Sequence, residues 1–164
     1  MRLRVIAAAA FALIAAACSG RQGTASGADG HIRVERTTQR TTTVLDEPGR
    51  ADYCPIDSLL TIIAVGHGRA AGFAVRTLFP FREARAFVVQ PMLAGLDTAT
   101  AAFRLAGGAA RIATAGRVRL EASTRIEGEF DVAVPDSTGI AVRFRGNLSH
   151  ITIRTGLSAS CSRI

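Results

Sequence analysis

From Arg117 to Gly146, apolar and polar positions alternate. Val118, Leu120 and Ala122 are separated by Arg119 and Glu121. Ile126, Gly128, Phe130, Val132 and Val134 are separated by Glu127, Glu129, Asp131 and Ala133, and Ile140, Val142 and Phe144 by Ala141 and Arg143. A period of two marks a strand with one buried face. Pro135-Asp136-Ser137-Thr138-Gly139 carries turn chemistry between two such runs. Pairing across that turn sets Val134 opposite Ile140, Val132 opposite Val142 and Phe130 opposite Phe144. The same register sets Asp131 opposite Arg143 and Glu129 opposite Arg145, so Glu129, Asp131, Arg143 and Arg145 are the expected cross-strand ion pairs. Each such pair contributes roughly 0.2 to 1 kcal/mol. Extended through Ser123-Thr124-Arg125, the pattern places Arg119 by Glu129, Arg117 by Asp131, and Glu121 unfavourably by Glu127.

The remaining body also reads as strands. Ser58 to Val65 is a nearly continuous apolar run, as in a strand covered on both sides. Gly66-His67-Gly68-Arg69 is a turn, and Ala71 to Phe79 returns as its partner until Pro80. Arg85 to Val89 and Thr98 to Leu105 are short strands. Arg111 to Ala113 is a weaker one, and Pro91 to Asp97 has room for one helical turn. Ile32 to Val34 and Thr41 to Leu45 flank a Thr-rich stretch and suit a polar edge. Leu148 to Arg154 is the last strand, with a phase change between Leu148 and Ile151 that predicts a bulge. Phe73, Phe103, Phe130 and Phe144 fall in apolar phase and are expected core. The fold expected is all-β: an antiparallel sandwich of eight or nine strands, with a closed β-barrel as the alternative.

The amino terminus is of another kind. Met1-Arg2-Leu3-Arg4 is basic, and Val5 to Ala17 is an unbroken apolar run of 13 residues. That is shorter than the roughly 18 to 20 residues a membrane span needs, and it ends in small residues before Cys18. This is the layout of an export signal. The segment Ile14-Ala15-Ala16-Ala17-Cys18 resembles the lipobox of bacterial lipoproteins, with Ala15 where that family prefers Leu. The resemblance implies cleavage before Cys18, lipidation of Cys18 and attachment to a membrane, which two or three acyl chains make stable. Ser19, where Asp implies inner-membrane retention in that family, points to the outer membrane. The motifs Gly116-x-Val118-x-Leu120, Ile126-x-Gly128-x-Phe130 and Phe144-x-Gly146 also resemble a β-hairpin unit of bacterial lipoproteins without an assigned activity, which implies fold class alone. The organisation expected is a signal peptide over 1–17, a lipidated Cys18 with a Gly/Ser-rich tether to residue 30, and one β-domain over 31–164.

With Cys18 assigned to lipid, Cys54 and Cys161 form an even pair in an oxidising compartment. A disulfide between them closes more than 100 residues, worth up to roughly 4 to 5 kcal/mol on chain-entropy grounds. The 20 basic residues are all Arg, two of them in the signal, against 13 acidic ones. They are spread singly, without a recognition helix or zinc ligand set, which argues against nucleic acid. The partners expected are the membrane, another envelope protein or an anionic surface polymer. Glu127, Glu129 and Asp131 read as an ion-pair ladder rather than an acid/base site. His31, His67 and His150 lack metal-ligand spacing. No Gly-x-Ser-x-Gly or phosphate loop is present. No cofactor, metal or catalytic residue is therefore expected. The sequence points to an exported, lipid-anchored, non-catalytic binding or structural module of the cell envelope; the alternative is a small-ligand or lipid carrier with a barrel cavity.

Overall fold

The structure is a computed structural model that describes residues 30–37, 41–105 and 108–155. Cys18, the signal, most of the tether and Cys161 lie outside the described residues. Ten strands follow one another: β1 (Gly30–Thr37), β2 (Thr41–Cys54), β3 (Leu59–Gly66), β4 (Arg69–Arg76), β5 (Phe81–Val89), β6 (Thr98–Arg104), β7 (Arg111–Ile112), β8 (Ala115–Ala122), β9 (Arg125–Pro135) and β10 (Ala141–Thr155). Nine close into a ring in the order β1-β2-β3-β4-β6-β5-β8-β9-β10, and the short β7 lies against β6. All the ring's pairings are antiparallel except β5 with β6.

The architecture is the closed barrel, the second of the two expected. Sandwich and barrel share these strands and their inward faces. The difference is whether β4 and β6 pair, and they do over seven residues, from Ala70 opposite Arg104 to Arg76 opposite Thr98. Closure removes the open edge that a sheet must otherwise protect. The segment expected as an edge is therefore not one. β1 lies between β2 and β10, with Ile32 and Val34 fully buried. Pro91 to Asp97 forms bends and a turn, not a helical turn.

The meander is present, and its last register is a correction. Val134 pairs with Val142, Val132 with Phe144, Phe130 with Gly146, and Asp131 with Arg145. This is two residues from the expected register. Asp136 explains the shift. Its carboxylate accepts hydrogen bonds from Thr138 Oγ1 (2.6 Å), Thr138 N–H (2.8 Å) and Ile140 N–H (3.0 Å). Asp136 N–H donates to the Ile140 carbonyl at 2.8 Å. The turn thus runs from Asp136 to Ile140, and Ile140 is exposed instead of paired with Val134. A shift of two keeps every side chain on its face, because the strand period is two. The earlier hairpin follows the expected register throughout, including Arg119 with Glu129 and Glu121 with Glu127. The predicted bulge between Leu148 and Ile151 is also there, with His150 at φ 56°.

The lumen is filled. Phe73, Phe103, Phe130 and Phe144 meet with ring centroids 4.8 to 5.9 Å apart. A second aromatic chain runs Tyr53, Phe79, Phe81 and Phe87. Together these are every aromatic residue after the signal. Burying a Phe side chain contributes roughly 1.5 to 3 kcal/mol. Where an inward glycine faces a ring, its missing Cβ makes the room, as Gly146 does for Phe130.

Candidate functional site

Two surfaces emerge from this frame. The first is the outer wall of β8, β9 and β10, which carries the expected charged residues. Asp131 receives both arginines: Arg143 through a bidentate hydrogen bond across the diagonal, and Arg145 from directly opposite at 3.1 Å. Arg143's hydrogen bonds, helped by the charges of Arg143 and Arg145, hold the Asp131 carboxyl below the usual carboxylate range against the opposing effect of partial burial. Glu129 is not paired with Arg145. It stands opposite Asn147, and its nearest cation is Arg119 Nη1 at 4.0 Å. Such exposed pairs contribute little individually. They form a solvated ion-pair cluster on the wall and not a reactive centre.

The second surface is a pocket of about 200 Å³ at one rim, room for roughly seven waters at bulk density. β1, β6, β7 and the β9–β10 turn build it, and Arg36, Phe103, Leu105, Arg111, Asp136 and Phe144 line it. Arg36 continues the inward phase of Ile32 and Val34 and pairs with the inward Phe144. Its Nε, like those of Arg76 and Arg104, is buried without a hydrogen-bond partner among the described residues. Arg111 Nη1 donates to the Pro135 carbonyl at 3.1 Å. Hydrogen bonds from Thr138, then from Ile140, with the Arg111 charge behind them, keep Asp136 below the usual carboxylate range. The pocket therefore has an apolar floor of stacked rings (Phe103 to Phe144, 5.2 Å) and a cationic wall.

The histidines lie apart, each facing one carboxylate: His31 with Asp46 (3.6 Å), His67 with Glu47 (2.8 Å) and His150 with Glu127 (3.3 Å). Among the described residues no three His, Cys, Asp or Glu side chains converge as a metal site would require. Cys54 is buried, with Sγ 3.6 Å from Asp57 Oδ2. β10 ends parallel to β2 with Thr155 beside Tyr53, and Cys161 lies outside the described residues.

The rim pocket was not singled out from the sequence. Arg36 carried a usable signal, since it sits in phase with Ile32 and Val34. Arg111 carried none, because a two-residue strand has no period to read. No protein-family profile, curated protein or solved structure matches this chain.

Proposed function

We propose that this protein is a lipid-anchored, non-catalytic binding module of the bacterial cell envelope, held at the outer membrane through Cys18. Its rim pocket would receive an acidic group carried on a small apolar body. The observation that carries the reading is a pair of arginines, Arg36 and Arg111, lining one pocket beside the stacked rings of Phe103 and Phe144. A guanidinium presents N–H donors in a fork, and a carboxylate offers the bidentate acceptor that suits it. The expected partners, an anionic surface polymer or an acidic face of another envelope protein, both present such groups. The carrier alternative has less support, because it needs a hollow lumen and the aromatic residues fill this one.

The test uses protein purified from its host's membranes. Its mass should correspond to a chain beginning at Cys18 plus acyl groups, and Cys18→Ala should move it to the soluble fraction. Hexanoate, titrated against isotope-labelled protein, should shift the resonances of Arg36, Phe103, Arg111 and Phe144 saturably. Hexanol should not, and Arg36→Ala should abolish the effect. An unprocessed amino terminus, or membrane retention of Cys18→Ala, would overturn the anchor. Equal shifts with hexanol, or with Arg36→Ala, would overturn the acidic-ligand site.

A further inference from the structure

The rim pocket holds a negative group of its own beside its two positive ones. Arg36 lies directly opposite Phe144 on β1 and β10, and Arg111 directly opposite Phe103 on β7 and β6. The two rings stack, with centroids 5.2 Å apart and planes 17° from parallel. The arginines therefore flank one apolar floor. Asp136 lines the pocket from the β9–β10 turn. Arg111 reaches the same turn, where its Nη1 donates to the Pro135 carbonyl at 3.1 Å.

Asp136 has one carboxylate oxygen committed and one open. Oδ1 accepts Thr138 Oγ1–H at 2.6 Å, Thr138 N–H at 2.8 Å and Ile140 N–H at 3.0 Å. Oδ2 accepts no hydrogen bond among the described residues. Those same bonds to Oδ1 keep the carboxylate ionised. Gly139 N–H closes the turn onto the Asp136 carbonyl at 3.2 Å. The group is thus fixed before any ligand arrives, which lowers the ordering cost of a contact to it. A plain acid would satisfy the guanidinium groups and set its own charge near Asp136, a like-charge juxtaposition that costs affinity. A ligand with an ammonium next to its carboxylate removes that cost. It gives Oδ2 a donor and the arginines an acceptor, both as charge-assisted hydrogen bonds.

We infer that the pocket takes an α-amino acid with an apolar side chain. Its carboxylate meets Arg36 and Arg111, its ammonium meets Asp136 Oδ2, and its side chain lies against Phe103 and Phe144. This rests on the pocket being the acid-binding site, and it names the class of acid. Isotope-labelled protein is titrated near pH 7 with norleucine, hexanoate and hexylamine, which share one unbranched chain. Norleucine should shift the resonances of Arg36, Phe103, Arg111 and Phe144 with an affinity about fivefold above that of hexanoate, the scale of one further exposed ion pair. Hexylamine should not shift them saturably. Asp136→Asn keeps an oxygen for the turn and should cancel the preference, so that hexanoate binds at least as tightly as norleucine. Should Asp136→Asn disturb the turn, the three ligands compared on the parent protein decide alone. Saturable hexanoate binding with norleucine no tighter overturns the amino-acid assignment and leaves the acid-binding site standing. Hexylamine binding as tightly as norleucine also overturns the assignment, and a preference that survives in folded Asp136→Asn overturns the part given to Asp136. No saturable shift with any of the three overturns the acid-binding site itself, and the assignment falls with it.

Discussion

Gly146→Ala tests whether the barrel wall is built as tightly as its pairing implies. Gly146 faces the lumen where β10 passes between β1 and β9, opposite Val34 and Phe130. A Cβ there would lie 1.9 Å from the Arg33 carbonyl oxygen, short of ordinary contact at 3.4 Å by 1.5 Å. Phe130 Cζ would be 2.6 Å away, but a ring can turn and a strand carbonyl cannot. To admit the methyl group, β1 must move off β10. Two ladder hydrogen bonds then stretch beyond use, at about 1 kcal/mol each, and overpacking adds about 1 to 3 kcal/mol. The expected destabilisation is about 3 to 5 kcal/mol, or roughly 10 to 18 °C in Tm for a domain of this size. Thermal unfolding followed by far-UV circular dichroism reads it. Adding Phe130→Leu should recover only a small part, because the Arg33 carbonyl remains in place. Gly139→Ala is the control. It has open space around it and φ of +85°, so it should cost only the left-handed backbone penalty of about 1 to 2 kcal/mol. A Gly146→Ala variant as stable as the parent, or one fully rescued by Phe130→Leu, would refute the argument that backbone contact sets the cost.

Three further outcomes are expected. Because folding lowers the Asp131 pKa, its contribution is present above the usual carboxylate range and is lost as pH falls through the depressed value. Tm should therefore drop more steeply between about pH 4 and pH 2 in the parent than in Asp131→Asn, and parallel profiles would count against the Asp131–Arg143–Arg145 cluster. Phe103→Ala, which removes the ring that touches Phe73, Phe130 and Phe144, should cost about 3 to 5 kcal/mol in chemical denaturation; a loss below about 1 kcal/mol would mean the lumen is not packed as described. Non-reducing peptide mapping should recover Cys54 joined to Cys161, and two alkylatable thiols would disprove that pairing.

The outcome in the β9–β10 hairpin shows where sequence reading loses resolution. Read from the sequence, cross-strand charge pairing selects one register, yet Asp131 engages Arg143 diagonally and Arg145 directly in the register two residues away. Long arginine side chains satisfy both arrangements, so charge complementarity was a weak discriminator. The local chemistry of Asp136 was the stronger one, because a carboxylate gathering two backbone N–H groups determines where the turn begins and ends. At the rim pocket, Arg36 was legible by period and Arg111 was not.

What the sequence determined by itself is whatever depends on near neighbours: that the body is strands, which side chains face inward, where β10 bulges, and which phenylalanines are core. These follow from a two-residue period and from turn residues acting over a few positions. Tertiary structure alone decided that β4 and β6 pair, that β1 is interior and not an edge, and that Arg36, Arg111 and Asp136 share one rim. Each of those joins segments tens of residues apart in sequence. Nothing local in either partner encodes the match: β4 and β6 are both apolar on more than one face, and such strands are compatible with either an open or a closed sheet. Closure is chosen by the whole ring, which buries the aromatic rings in one lumen and gives each of its nine strands a neighbour on both sides.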